Sequence, residues 1–275
     1  MTKAFAGLPL VRPLIMGIVN ATPDSFSDGG EAFCEDDAVA KGLRMIDEGA
    51  DIIDVGGEST RPGAEPVGIE DELRRTIPVV RRLSEAGVLV SIDTRHAVVM
   101  EAALAAGAEI VNDVSALTHD PRSIDVVANS EASVVLMHMQ GAPATMQNAP
   151  EYDDVTKEVV DYLCNRVRAC EAAGIRRNRI AIDPGIGFGK TMSHNLDILK
   201  RLKEFSAVGV PVLLGVSRKS FIGAVVGERD PRKRVAGSIA AALAGVTRGA
   251  NILRVHDVAE THQALAVWDV INANV

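Results

Sequence analysis

Eight short apolar runs recur along this chain, and each is followed by a longer segment of helical period. The runs cover residues 14–19, 51–55, 88–92, 109–111, 133–137, 179–182, 212–215 and 252–255. Near-continuous hydrophobicity over so few residues suits parallel strands covered on both faces. In the segments between them apolar residues fall three and four apart. Ala38, Leu43 and Ile46 lie opposite Asp36, Lys41, Arg44 and Asp47, and Val155, Val159, Leu163 and Val167 repeat the pattern. Eight strands alternating with helices predict an α/β fold, a (β/α)8 barrel. The first strand starts at about 14 and the last helix runs to about 272. An open doubly wound sheet is the competitor. The final strand and helix, with no linker of changed composition, favour closure and one domain over 1–275.

Composition then removes whole classes of function. Hydrophobic residues make up 47% and charged residues 24%, which excludes a disordered chain or a disulfide scaffold. Aromatics at 3% argue against base stacking on single strands. With 37 acidic and 29 basic side chains, the chain has no global attraction to nucleic acid or anionic lipid. Any anion must be held by a local site. Cys34, Cys164 and Cys170 are odd in number and lack CxxC spacing, which fits reduced thiols in the cytoplasm. No apolar run approaches the roughly 20 residues that span a bilayer.

A barrel places its chemistry just after each strand, at the C-terminal face. After the first strand comes a polar loop beginning at Asn20, and after the second a Gly56-Gly57 turn leading to Thr60, Arg61 and Pro62. Glycines let backbone approach a ligand, and Arg61 can clamp an anion. Strands three, four and six end in Asp93, in Asn112-Asp113 and in Asp183. Several such groups at one rim suit a flat heterocycle with mixed donors and acceptors. Metal ligation is the weaker reading, since no histidine and carboxylate cluster has ligand spacing. His138, after strand five, reads as a structural histidine. The glycine loop 183–191 fails both the Walker and the Rossmann patterns and carries Phe188 as a stacking surface. After strand seven, Arg218, Lys219 and Ser220 stand where a helix begins, an anion-binding arrangement. Arg254 and His256 share a strand face and predict an oxyanion clamp. His96, His119, His194 and His262 read as solvated. The local reading is group transfer or elimination on a phosphorylated substrate.

These strand ends resemble one family. Met16-Gly-Ile-Val-Asn-Ala-Thr-Pro-Asp-Ser-Phe-Ser-Asp-Gly-Gly30 and Asp54-Val-Gly-Gly-Glu-Ser-Thr-Arg-Pro-Gly63 are similar to the two signatures of the dihydropteroate synthases. The 183–190 loop, Ser217-Arg-Lys-Ser220 and Arg254-Val-His256 follow in order. Ala21 departs from the family's usual Val. The resemblance implies condensation of 6-hydroxymethyl-7,8-dihydropterin diphosphate with p-aminobenzoate, loss of diphosphate, help from Mg2+, and a homodimer. It implies a pterin held by Asp93, Asn112, Asp183 and Lys219, with Asn20 at the metal or diphosphate. Arg61, Arg254 and His256 become anion contacts, and Thr60, Pro62, Phe188 and Ser220 border the p-aminobenzoate. Sulfonamides that mimic p-aminobenzoate are expected to compete. Asp93, Lys219, Arg254 and His256 are the expected catalytic residues. Lys219→Ala and Arg254→Ala are expected to lose activity in a folded protein. A methyltetrahydrofolate methyltransferase would share the ring pocket without needing the Arg61 loop, the Ser217 turn or the Arg254 and His256 pair. A non-catalytic pterin-binding paralogue is the rival from another class.

Overall fold

The structure, a computed structural model, describes residues 4–21, 35–58, 67–141, 146 and 150–272. A hairpin of β1 (Ala4–Phe5) and β2 (Leu8–Pro9) precedes the barrel. Then come β3 (Leu14–Asn20), α1 (Glu35–Asp47), β4 (Ile52–Gly56), α2 (Ile69–Glu85), β5 (Val90–Asp93), α3 (Ala97–Ala105) and β6 (Ile110–Asp113). The chain continues through α4 (Ser123–Ala128), β7 (Ser133–Met137), α5 (Val155–Ala172), β8 (Ile180–Asp183) and α6 (Met192–Lys200). It ends with β9 (Leu213–Leu214), α7 (Ser220–Val226), α8 (Val235–Val246), β10 (Ile252–Val255) and α9 (Val258–Asn272). All eight expected strands are present and parallel, in the order β8-β7-β6-β5-β4-β3-β10-β9. A parallel bridge between Ile182 and Val212 joins the two ends and closes the barrel. The seventh run gives the shortest strand of the barrel: Pro211 lacks an N–H for the ladder, and Val212 joins Ile182 by an isolated bridge while its carbonyl accepts from the Asn251 and Ile252 N–H groups. Two helices, not one, link β9 to β10.

Register turns the strands into interior layers. A shear of 8 over eight strands offsets neighbours by about one residue, so alternate strands contribute four side chains to each layer. The pairings place Ile52, Ile110, Ala181 and Ile252 in one layer, and Met16, Ser91, Val135 and Leu213 in the next. All eight are buried, and Phe5 of the hairpin joins the same cluster from below. Burying each of these isoleucines stabilises by roughly 1.5–3 kcal/mol. Above them, the same register gives a layer of Asp54, Asn112, Asp183 and Arg254. Along β4, β6, β8 and β10 the change from hydrocarbon to polar side chains takes two residues.

Candidate functional site

The polar layer is wired rather than merely polar. Arg254 Nε donates to Asp54 Oδ2 at 2.6 Å, and its Nη2 donates to Asp93 Oδ2 at 2.6 Å. Asn112 Nδ2 donates to the same Asp54 oxygen at 3.0 Å. Asp93 sits on the barrel wall between β4 and β6, opposite Gly56 and Asn112 in register. Asp183 Oδ1 accepts the Gly185 N–H at 2.7 Å. Lys219 reaches in from the N-cap of α7, donates Nζ to the Ile186 carbonyl and lies 4.5 Å above the Phe188 ring centroid. Asp93, Asn112, Asp183, Lys219 and Arg254 thus meet around one opening, with half-buried Phe188 at its side.

Burial sets the electrostatics here. It lifts the Asp93 carboxyl to about 7, with Arg254 pulling it down and Asp54 and Glu72 pushing it up. Burial also raises Asp183, against the pull of Lys219. It depresses Lys219 to about 8, while Asp183 favours the charged amine. Burial works against the charge of Arg254, but Asp54 and Asp93 outweigh it, and its pKa is raised.

Several expectations change at this point. Arg254 is not a clamp aimed beside His256, because two of its nitrogens are committed within the layer. His256 stands one step higher, with its Nδ1 3.0 Å from Ser217 Oγ. Arg218 and Lys219 do not act as a cation pair. Arg218, at φ 59°, turns away and pairs with Asp257, so Lys219 alone faces the polar layer. Asp113, counted at the rim by its position, is bound to the Ser115 N–H and hydroxyl and the Leu117 N–H, and it shapes the turn after β6. His96 is not solvated. Its Nδ1 lies 3.2 Å from Glu72 Oε2, and its ring meets His119 edge-on at 5.1 Å. His194 completes the capping box of Thr191 on α6. Asn20 ends β3 beside Gly56, and Ser220 is exposed in the first turn of α7. Thr60, Arg61 and Pro62 lie outside the described residues, as does Cys34.

Three buried ionisable residues escaped the sequence reading. Asp54 is fully buried at the centre of the layer. Its place was available from alternation, since 52, 54 and 56 point inward from β4 and layer geometry aligns 54 with 112, 183 and 254. Glu72, on α2, is held up at about 7 mainly by burial. Lys190 is buried and gives its ammonium to His138 Nδ1 at 2.9 Å, the His138 carbonyl at 3.3 Å and the Phe188 carbonyl at 3.0 Å. Burial, helped by Lys190, drives the His138 imidazole down to about 3, so it stays neutral and accepts, the structural role expected of it. The 183–191 loop closes tightly over this pair. At Gly185, φ is +69°, and a Cβ would sit 1.9 Å from the His138 carbonyl oxygen.

Known proteins share this arrangement of the chain. The family described as "Pterin binding enzyme" matches residues 16–256. A dihydropteroate synthase of Neisseria meningitidis serogroup C is 50% identical over 270 residues, 96% of this chain and 95% of its own length. That of Escherichia coli K12 is 48% identical over 269 residues, again 96% and 95%. The Xanthomonas albilineans dihydropteroate synthase solved with 4-aminobenzoic acid superposes with a TM-score of 0.92 at 52% identity, covering 98% of this chain and 96% of that one. A second structure of that enzyme, in complex with 7,8-dihydropteroate, gives 0.89 at 49%, covering 98% and 97%. With about half of the residues identical over nearly the full length of both chains, this chain belongs to the pterin-binding enzyme family and, within it, to the dihydropteroate synthases, which are transferases.

Proposed function

We propose that this enzyme condenses 6-hydroxymethyl-7,8-dihydropterin diphosphate with p-aminobenzoate to give 7,8-dihydropteroate and diphosphate. The observation that carries this reading is the wired layer of Asp54, Asn112, Asp183 and Arg254 beneath Lys219 in a chain so similar to the enzymes solved with 4-aminobenzoic acid and 7,8-dihydropteroate. The layer offers acceptors, an amide and cations to a ring that carries both donors and acceptors. In this reading the pterin lies on Asp93, Asn112, Asp183 and Lys219. Arg61 and His256 face the diphosphate. Thr60, Pro62, Phe188 and Ser220 border the arylamine.

The reaction breaks the bond between the methylene carbon and diphosphate oxygen, and the electron pair leaves on diphosphate. The arylamine nitrogen then bonds to that carbon and gives up one proton. An arylamine needs little activation, so the barrier lies in the departure, and a dissociative, SN1-like course follows. Asp93 and Asp183 offset the positive charge that develops on the pterin methylene. Arg254, tied to Asp54 and Asp93, holds those carboxylates in place beneath the ring. Mg2+ would neutralise leaving diphosphate. The described residues hold no group of three acidic, histidine or cysteine side chains fit for a metal. Asn20 would hold it through its neutral side-chain oxygen, a donor that suits a hard cation.

The active unit in this proposal is a homodimer in the cytoplasm. Helix α8 carries no charged residue and exposes Ala236, Ala240 and Ala244. Its neighbour α9 exposes Val267, Val270 and Ile271, with Val225 and Val226 on α7. Apolar surface on three consecutive helices suits a second copy. Cys164 and Cys170 are free thiols, and no described helix is long and apolar enough to cross a membrane. The decisive experiment measures diphosphate release from the pterin diphosphate with Mg2+, with and without p-aminobenzoate. Release that requires p-aminobenzoate and yields dihydropteroate supports the reading, and sulfonamides should then compete with p-aminobenzoate. Tight pterin binding without turnover sinks it in favour of a non-catalytic paralogue.

A further inference from the structure

Asp54 is an unexpected residue to bury at the centre of a barrel. Its side chain has no solvent exposure, and its Oδ1 meets no donor among the described residues. For stability alone an apolar side chain of similar volume would serve as well or better, because a buried ion pair repays its desolvation poorly. What Asp54 does have is a single oxygen, Oδ2, that accepts from both Asn112 Nδ2 and Arg254 Nε.

That shared oxygen has a chemical consequence. A carboxylate only accepts, so it dictates which end of the Asn112 amide faces it. The N–H side is turned to Asp54, and the carbonyl oxygen is turned elsewhere. The same atom fixes the Nε edge of Arg254, whose Nη2 then meets Asp93. One buried oxygen thereby sets the orientation of Asn112, assigned to the pterin, and of Arg254 and, through Arg254, the position of Asp93.

We propose that Asp54 is the positioning residue of the ring site: it locks the Asn112 amide and the Arg254 guanidinium in one orientation and so decides which donors and acceptors the site presents. This rests on the pterin reading above for its functional consequence, but the orientation itself is testable without any substrate. Asp54→Asn keeps the shape and removes the rule. The new amide can keep its oxygen at the Oδ2 place and accept from Arg254, but it is uncharged and its other end donates, so it no longer holds the Asn112 amide in one orientation.

Two measurements test this. The first is the side-chain amide resonance of Asn112 in the ligand-free, asparagine-labelled protein, assigned by its loss in Asn112→Ala. It should shift in Asp54→Asn while the melting temperature stays near that of the wild type. The second is a kinetic cycle over Asp54→Asn, Asn112→Ala and the double variant. Asp54→Asn should raise KM for the pterin diphosphate by about tenfold or more, the scale of one mispaired buried hydrogen bond, and leave KM for p-aminobenzoate nearly unchanged. In the Asn112→Ala background most of that loss should vanish. An unmoved Asn112 resonance, or losses that simply multiply, would overturn the proposal. If Asp54→Asn does not fold, Asp54→Asn/Asp93→Asn/Arg254→Gln removes the three linked buried charges together, and its Asn112 resonance is read in the same way. If the wild type fails to turn over the pterin diphosphate, the proposed reaction falls, while the resonance still decides what Asp54 does to Asn112.

Discussion

The two halves of the barrel interior are built by the same strands and behave as different materials. Below, Ile52, Ile110, Ala181 and Ile252 form a hydrocarbon layer closed off by Phe5. Two residues further along those same strands stand Asp54, Asn112, Asp183 and Arg254. The lower half gains stability from every side chain it buries. The upper half holds buried charges whose burial costs free energy, offset by the ion pairs of Arg254 and the hydrogen bond from Asn112. Stability and chemistry are therefore separated along the barrel axis, and substitutions in each half should fail in different ways.

The largest effect is expected where the comparison is sharpest. Arg254→Ala should lose about 10²–10³-fold in kcat/KM. It should also lose about 3–5 kcal/mol of stability, because Asp54 and Asp93 are left buried without their cation. Loss of activity in a protein as folded as the wild type, which the sequence alone led us to expect, is thus revised for this residue. Denaturant titration beside steady-state kinetics separates the two outcomes. For Lys219→Ala the original expectation stands: a loss of similar size in kcat/KM with the denaturation midpoint preserved.

Ile110→Ala should do the reverse. It should cost about 2–5 kcal/mol in urea unfolding and leave kcat/KM per folded molecule unchanged. A large kinetic defect there would show that the halves are coupled.

A smaller effect comes from the pH dependence of Asp93. Its carboxyl titrates at about 7 in the folded chain. The rate should therefore fall as pH drops through that value, since the protonated acid no longer offsets positive charge on the pterin. The sign for stability is opposite. The folded pKa lies above the unfolded value of about 3.9, so stability declines as pH rises from there through about 7. Asp93→Asn should flatten the fall in rate and lessen the slope of stability, leaving the part that Glu72 and Asp183 contribute, and rate and melting curves across pH 4–9 would check it. The smallest effect belongs to neither half: Thr191→Ala removes an exposed cap of α6 and should cost about 1 kcal/mol.

Much of this was legible from residues alone. Alternation of strands and helices gave the barrel, and the residues after each strand gave Asp93, Asn112, Asp183, Lys219 and Arg254 as neighbours. The misreadings share a cause. Asp113 and Arg218 sit at strand ends, but their backbones aim them away from the opening. His96 looked solvated because its partner, Glu72, is 24 positions earlier on another element.

The sequence by itself determined which strands form and which residues stand at their ends, since period and burial are local properties of the chain. Only the tertiary structure decided which of those residues are bonded to one another. Asp54 and Arg254 are 200 positions apart and meet at 2.6 Å. They meet because barrel closure and the stagger of its strands bring alternate strands into one layer, and that register is set by the packing of the whole barrel.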